Sequence, residues 1–181
     1  MAAAAPVLLT PRLRLRGHVA ADFDAIAAMW ADERVVRAIT GRPSSREESW
    51  ARLLRYGGLW AILGFGYWVV EDRASGAFLG EVGLADFKRD LEPSLDDALE
   101  AGWVVHPATQ GRGIATEAML AALAWADRQL AGRRVVCMIA PENAASFRVA
   151  EKCGFVEFER TEYRGDPTAL MVREPRRATS P

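Results

Sequence analysis

The segment that decides the fold is Gln110-Gly111-Arg112-Gly113-Ile114-Ala115. It follows an apolar run that ends at Val105, and an amphipathic stretch typical of a helix begins at Ile114. The glycines let the backbone turn tightly, with successive N–H groups pointing the same way. At a helix start such groups form a concave anion site, and the helix dipole adds positive charge. The segment therefore predicts a loop that binds a phosphate-bearing ligand, with the charged guanidinium of Arg112 beside it.

The composition is that of an ordinary globular protein. The 181 residues are 50% hydrophobic and 26% charged, and this length favours one domain. We place that domain at residues 9–173, between flexible tails at 1–8 and 174–181. The net charge of −1 gives no general attraction to nucleic acid or to an anionic membrane. No apolar run approaches the roughly 18 residues of a membrane-spanning helix. We therefore expect a cytoplasmic protein with neither kind of partner.

The two cysteines, Cys137 and Cys153, lie far apart in the sequence and lack the spacing of metal ligands. Both stand among apolar residues. They are therefore expected to be buried thiols in a reducing compartment, with no bound metal.

Apolar periodicity predicts an α/β fold in which helices cover both faces of a mixed, mostly antiparallel sheet of about seven strands. Gly57-Gly58 is expected to end the second helix, and Gly80 and Gly83 suggest a bulge or a close backbone approach. The crossover between the strands at 99–105 and 135–139 should be parallel and right-handed. The predicted strands are 8–16, 67–71, 77–85, 99–105, 135–139, 155–159 and 168–172, and the predicted helices are 21–39, 45–56, 114–130 and 144–152.

The glycine loop on its own fits few known phosphate sites. A dinucleotide-binding fingerprint would need Gly or Ala where Thr116 stands, and an acidic residue after the next strand. A nucleotide-triphosphate loop would need a Gly-Lys-Ser/Thr ending, which the chain lacks. A purely structural turn between strand and helix stays open from these residues alone.

Several motifs together resemble the GNAT superfamily of acyl-CoA-dependent N-acetyltransferases. The family's loop, Gln/Arg-x-x-Gly-x-Gly/Ala, is matched by Gln110, Gly113 and Ala115. The segments 9–16, 115–118, 141–146 and 151–155 are similar to those of the Rim-type branch, whose members acetylate ribosomal-protein N-termini. The resemblance covers roughly residues 9–173. It implies the GNAT acyl-CoA N-acyltransferase fold, in which the strand before the loop splays from its neighbour.

The resemblance also implies where acetyl-CoA binds. The backbone amides of 112–116 would hold the pyrophosphate, and the splayed strand would bind the pantetheine arm and polarise the thioester carbonyl. Asn143 is expected to cap a helix on its position alone, and by the resemblance it would also bond the same arm; both roles can hold together. Arg112 would touch phosphate or extend into solvent. The expected cofactor-binding residues are Trp103, Val104, Val105, Gln110, Gly111, Arg112, Gly113, Ile114, Ala115, Thr116, Asn143 and Ser146.

The catalytic groups follow from the same resemblance and from residue chemistry. Ser146 would donate a proton to the departing thiolate, as in Rim-type enzymes. The base that deprotonates the amine is left open between Glu81, which interrupts an apolar strand, Glu100, which begins the splayed strand, and a water relay. His106 is the weaker candidate because, just before Pro107, it is typical of a surface turn.

The predicted function is acetyl transfer from acetyl-CoA to a primary amine in a direct ternary complex, without a cysteine relay. The amine is a protein N-terminus or a small molecule such as an antibiotic or polyamine. A non-catalytic acyl-CoA-binding module is the rival from another class. Residues 86–100 carry six acids against two bases, which would attract a cationic acceptor unless they form only a solvated loop. An edge strand near Thr168 could pair two copies as a homodimer.

Overall fold

The computed structural model describes residues 4–175, which build one eight-stranded sheet in the order β1-β2-β3-β4-β5-β6-β8-β7. The strands are β1 (Leu8–Leu9), β2 (Leu13–Arg16), β3 (Tyr67–Asp72), β4 (Phe78–Ala85), β5 (Leu99–Val105), β6 (Val135–Ile139), β7 (Val156–Tyr163) and β8 (Asp166–Arg173). The helices are α1 (Phe23–Ala31), α2 (Glu33–Val36), α3 (Arg46–Leu63), α4 (Ile114–Gln129) and α5 (Ala144–Lys152). The predicted mixed, mostly antiparallel α/β fold is confirmed, since β5–β6 is the parallel pair of this sheet.

The sheet has eight strands rather than about seven because the predicted strand at 8–16 is broken. Pro11 has no backbone N–H to donate, and the Thr10 hydroxyl accepts a hydrogen bond from the Leu13 amide at 2.9 Å, which forms a turn. In the described residues the edge strands are β1 and β7, and β8 lies between β6 and β7, so the predicted edge at Thr168 is wrong.

Residues that were predicted to form the N-terminal tail are packed against the sheet. The Trp68 indole donates to the Pro6 carbonyl at 2.9 Å, Ala5 touches the core, and Leu8 pairs with Leu15. The remainder of the predicted tails, at 1–3 and 176–181, lies outside the described residues.

Helix α3 continues through Gly57-Gly58 and ends at Gly64, whose φ of 75° forms the C-cap. The prediction that the glycine pair ends the helix was wrong. Glycine disfavours a helix interior by only about 1 kcal/mol per residue, and burial of Tyr56 and Trp60 on either side offsets this. The start was predicted correctly, since Ser45 and Glu48 form a reciprocal capping box.

Strands β5 and β6 separate soon after they meet. Only Leu99 with Val135 and Glu100 with Val136 are in register, whereas the opposite edge of β5 pairs with β4 as far as Val105. From residue 101 onward the β5 edge that faces β6 therefore carries backbone groups free of sheet pairing. This is the splay that the resemblance implied.

The sequence suggested a bulge or a close backbone approach at Gly80 and Gly83, and neighbouring strands do lie close to both glycines. Gly80 has a φ of 153° beside a register shift between β3 and β4, and an added Cβ would overlap the Val104 carbonyl. A Cβ at Gly83 would overlap Tyr67. Only glycine fits either position without moving a neighbouring strand.

Asp22 ties the start of α1 to the sheet and should make stability depend on pH. It accepts two hydrogen bonds from Arg16, at 2.7 and 2.8 Å, and Arg16 also bonds Glu71. Burial would raise the pKa of Asp22, but the bonds from Arg16 and from the Val19 amide outweigh it and lower this pKa. A carboxylate whose pKa is lower in the folded state than in the unfolded state stabilises the fold at pH values above its unfolded-state pKa. This stabilisation is lost as the pH falls through the folded-state pKa.

Asp22→Asn should therefore lower the free energy of unfolding by about 2 kcal/mol at neutral pH, and the difference from wild type should shrink towards about pH 3. Urea titrations of both proteins at the two pH values measure this. An equal difference at both would show that the Asp22 charge does not contribute.

Candidate active site

A cavity of about 340 Å³ opens beside the free edge of β5. This cleft is bounded by the end of β5 and the glycine loop, by α5, and by α2 with the turn that follows it. Its volume falls in the usual range for small-molecule sites. The lining residues are Arg34, Val35, Ala38, Ile39, Trp103, Val104, Val105, Thr109, Gln110, Gly111, Gly113, Ile114, Ala115, Thr116, Asn143, Ala145, Ser146, Arg148, Val149 and Lys152.

The fold brings eleven of the twelve residues expected to bind the cofactor into this one lining. The exception is Arg112, whose carbonyl accepts a hydrogen bond from Arg12 at 2.9 Å. The pKa of Asp72 is lowered, mainly by bonds from Ser75 and to a lesser extent by the charge of Arg112. Arg112 is therefore not part of the cleft lining.

The loop presents backbone donors to the cleft. Gly111 and Gly113 adopt left-handed conformations with φ of 75° and 76°, which glycine adopts without strain. Among residues 4–175, no acceptor bonds the amides of 113–116 at the start of α4. Glu117, in the first turn, instead points to Arg12 and Thr10, with an Arg12 Nε–Oε2 distance of 2.6 Å. The bonds of Glu117 to Arg12 and Thr10 therefore hold the start of α4 in place, and the amides of 113–116 stay free to bind an anion.

The first turn of α5 forms the opposite wall. The Asn143 amide oxygen accepts from the Ser146 backbone N–H at 3.1 Å, and its nitrogen donates to the Ala38 carbonyl at 3.4 Å. Asn143 is thus the predicted helix cap, and it also joins α5 to the turn after α2. The Ser146 hydroxyl lines the cleft and has no hydrogen-bond partner in the described part of the chain.

The charged residues of the lining are all cations. Arg34, Arg148 and Lys152 line the cleft, and no Asp or Glu of residues 4–175 does so. Arg34 is paired with Asp32 at 2.6 Å, whereas Arg148 and Lys152 form no ion pair within residues 4–175. Sequence analysis did not identify Arg34 or Arg148. The four-residue spacing of Arg148 and Lys152 on one helical face was a signal that could have revealed this cationic pair.

Glu81 lies outside the lining and is fully buried. Its two oxygens lie 2.8 Å from His18 Nε2 and 2.8 Å from the Trp30 indole nitrogen, which donates to the carboxylate. His18 was not identified from the sequence, and its Nδ1 atom is buried without a partner among residues 4–175. Arg52 lies over the Trp30 ring, 3.6 Å from its centroid.

Glu100 also lies outside the cleft lining. Arg89 binds it through two hydrogen bonds, at 2.5 and 2.6 Å, and also donates to the Tyr163 hydroxyl. His106 forms a local turn, in which its Nδ1 accepts from the Ala108 amide. Both candidate carboxylates therefore lie outside the lining and are engaged by other side chains.

The sequence model of a family described as the acetyltransferase (GNAT) domain matches residues 12–156. The chain belongs to the GNAT acetyltransferase family. This match agrees with the separation of strands β5 and β6.

Solved structures share the GNAT fold over nearly the whole chain. A GnaT-family acetyltransferase from Bordetella pertussis is 37% identical, with a TM-score of 0.82, over 93% of this chain and 99% of that one. An acetyltransferase from Agrobacterium tumefaciens is 25% identical, with a TM-score of 0.82, over 96% and 97%. A spermidine N-acetyltransferase from Vibrio cholerae, solved with CoA and spermine, is 22% identical over 92% and 97%, with a TM-score of 0.72, and shows likeness of fold alone.

Among curated proteins, YkkB of Bacillus subtilis is 32% identical over 91 residues. The match covers 50% of this chain and 51% of YkkB, so the chain spans about half the length of this relative.

Both cysteines of this GNAT-family chain are buried and outside the cleft lining. Burial raises the pKa of Cys153 to about 11 and also raises that of Cys137. Both thiols are therefore protonated near neutral pH and poor nucleophiles.

In residues 4–175, no group of three or more His, Cys, Asp or Glu side chains could hold a metal ion. None of the helices in these residues has the length and apolarity to cross a membrane.

Proposed function

We propose that this chain transfers the acetyl group of acetyl-CoA to a primary amine by direct attack within a ternary complex. The observation that carries the proposal is the free edge of β5, which faces a cleft with unpaired helix-start amides at one end. The amides suit a pyrophosphate and the free edge suits the amide-containing pantetheine arm. Family membership supports the same chemistry.

Each wall of the cleft has a part in this proposal. The amides of 113–116 hold the pyrophosphate, and Arg148 and Lys152 provide positive charge for the phosphates. Backbone groups of Trp103, Val104 and Val105 bind the arm and polarise the thioester carbonyl. The unpartnered Ser146 hydroxyl donates the proton that the departing thiolate needs.

We propose that the acceptor amine loses its proton to water. Both carboxylates that could act as the base are already occupied, Glu81 by His18 and Trp30 and Glu100 by Arg89. An amine in the cleft is in contact with solvent, so a water relay needs no rearrangement of these pairs. The buried, protonated thiols support direct transfer rather than an acyl-cysteine intermediate.

The acceptor is a protein N-terminus, as in the Rim-type branch, or a small amine. Structures that share the fold include both kinds, a RimL ribosomal L7/L12 acetyltransferase with CoA and the spermidine enzyme. Of the six acids at 86–100, Asp86 and Asp96 pair with Lys88 and Glu100 pairs with Arg89, which leaves Asp90, Glu92 and Asp97 to attract a cation. Screening peptide N-termini, polyamines and aminoglycosides for CoA thiol release tests the proposal. Binding of acetyl-CoA without release for any amine would favour a non-catalytic module.

The cations of α5 should control the affinity for acetyl-CoA. Arg148→Glu and Lys152→Glu each replace attraction to the phosphates with repulsion, so we expect the dissociation constant to rise about tenfold at low salt and less at high salt. Calorimetric titration measures this. Arg128→Glu, on the exposed end of α4, makes the same charge change away from the cleft and should leave the affinity unchanged. Equal effects of all three variants would contradict the phosphate assignment.

A further inference from the structure

Three residues form a row across the sheet beside the cleft. Tyr67 of β3 is in register with Gly83 of β4, which is in register with Gly102 of β5. A Cβ at Gly83 would overlap the Tyr67 ring, and a Cβ at Gly102 would overlap the Tyr67 hydroxyl oxygen. The tyrosine therefore lies across two glycines, and its hydroxyl reaches the cofactor-binding strand from two strands away.

The Tyr67 hydroxyl lies against β5 close to the point where β5 and β6 separate. Gly102 is two residues beyond Glu100, the last residue paired with β6, and it directly precedes Trp103, which lines the cleft. Phosphates bound at the glycine loop lie at the wide end of the opening, after β5 ends. An arm that follows the free edge from there carries its acyl end towards the narrow end, where the strands meet.

The Tyr67 hydroxyl has no hydrogen-bond partner among residues 4–175, although the residue is only 6% exposed. Burial raises its pKa well above the usual range, so it stays protonated and can donate. The Tyr56 ring stacks on the Tyr67 ring with centroids 4.2 Å apart and planes 3° from parallel, which fixes where the hydroxyl points. The buried side-chain atoms without a partner among residues 4–175 are His18 Nδ1 and Ser49 Oγ, so the Tyr67 hydroxyl oxygen itself is accessible. An accessible donor that is held in one position and has no protein acceptor is suited to bond an acceptor on a ligand.

We propose that the Tyr67 hydroxyl donates a hydrogen bond to the acyl carbonyl oxygen of bound acetyl-CoA. The inference rests on the proposed function, which puts the thioester in this opening. The bond lets the protein distinguish acetyl-CoA from free CoA, which lacks that oxygen. It strengthens as the carbonyl oxygen gains negative charge during attack by the amine, so it also assists the backbone donors of β5.

Calorimetric titration of wild type, Tyr67→Phe and Tyr56→Phe with acetyl-CoA and with CoA tests the proposal. Tyr67→Phe keeps the stack and removes one oxygen, so we expect it to bind acetyl-CoA about fivefold more weakly and CoA unchanged, since one neutral hydrogen bond contributes about 1 kcal/mol. Tyr56→Phe removes the hydroxyl of the other ring in the stack and should change neither affinity. A purely structural effect would shift both ligands together.

Gly102→Ala provides a second route, because its added methyl displaces the hydroxyl while Tyr67 is retained. It should lower the affinity for acetyl-CoA relative to CoA in the same direction. An unchanged ratio of the two affinities in Tyr67→Phe would overturn the inference while the proposed function stands. Failure of the wild type to bind either ligand would overturn the proposed function and the inference with it.

Discussion

Replacing Ser146 by alanine should lower the turnover number about 100-fold and leave the dissociation constant for acetyl-CoA within about twofold of wild type. The Ser146 hydroxyl lines the cleft without a partner, whereas its backbone N–H is the group that Asn143 caps. Alanine therefore removes the proton donor and keeps the helix cap. Loss of a donor needed only as the thiolate leaves affects the rate rather than binding.

Rates of CoA release with any acceptor found by the amine screen, together with calorimetry, measure this. Ser75→Ala provides the matched control, because Ser75 lies in the exposed turn between β3 and β4. Unchanged turnover in Ser146→Ala would contradict the proton-donor role. A parallel loss of affinity would show that Ser146 shapes the cleft instead.

Glu81→Ala should lower the free energy of unfolding by about 3 kcal/mol or more. The carboxylate is fully buried, and its removal leaves both the Trp30 indole N–H and His18 Nε2 without their partner. Each buried group left unpaired is destabilising by about 1–3 kcal/mol. Glu157→Ala removes an exposed glutamate paired with Arg160 and should change stability by less than about 1 kcal/mol. Urea denaturation that gave the two variants equal stability would contradict this assignment.

Glu81→Gln separates a structural role from a catalytic one. Glutamine keeps an acceptor for Trp30 but cannot accept a proton from an amine. With a water relay, turnover should stay within about tenfold of wild type. A loss of more than about 100-fold with unchanged stability would instead identify Glu81 as the base.

Local sequence signals predicted much of this fold because they act over short distances. The glycine loop, the capping box at Ser45 and the cap at Asn143 each depend on residues within a few positions of one another. They were predicted correctly, as were the bulge and close approach at Gly80 and Gly83. Eleven of the twelve residues expected to bind the cofactor also lie in the cleft lining, since the family motifs lie in its walls, whereas the other nine lining residues were not predicted.

What the sequence did not reveal depends on contacts between distant segments. Glu81 bonds His18 and Trp30, which are 63 and 51 positions away, and no local pattern identifies such partners. The row of Tyr67, Gly83 and Gly102 exists only once the register of three strands is known. Gly57-Gly58 was misinterpreted for the same reason, because packing of α3 on the sheet outweighs a weak local preference.

Calorimetric titration of the wild-type protein with acetyl-CoA and, separately, with NAD tests the central claim most directly. The account predicts one acetyl-CoA site with a dissociation constant on the order of micromolar and no binding of NAD. NAD carries a pyrophosphate too, so it tests whether the opening beside β5 selects the pantetheine arm. Absence of acetyl-CoA binding, or equal affinity for NAD, would contradict the account.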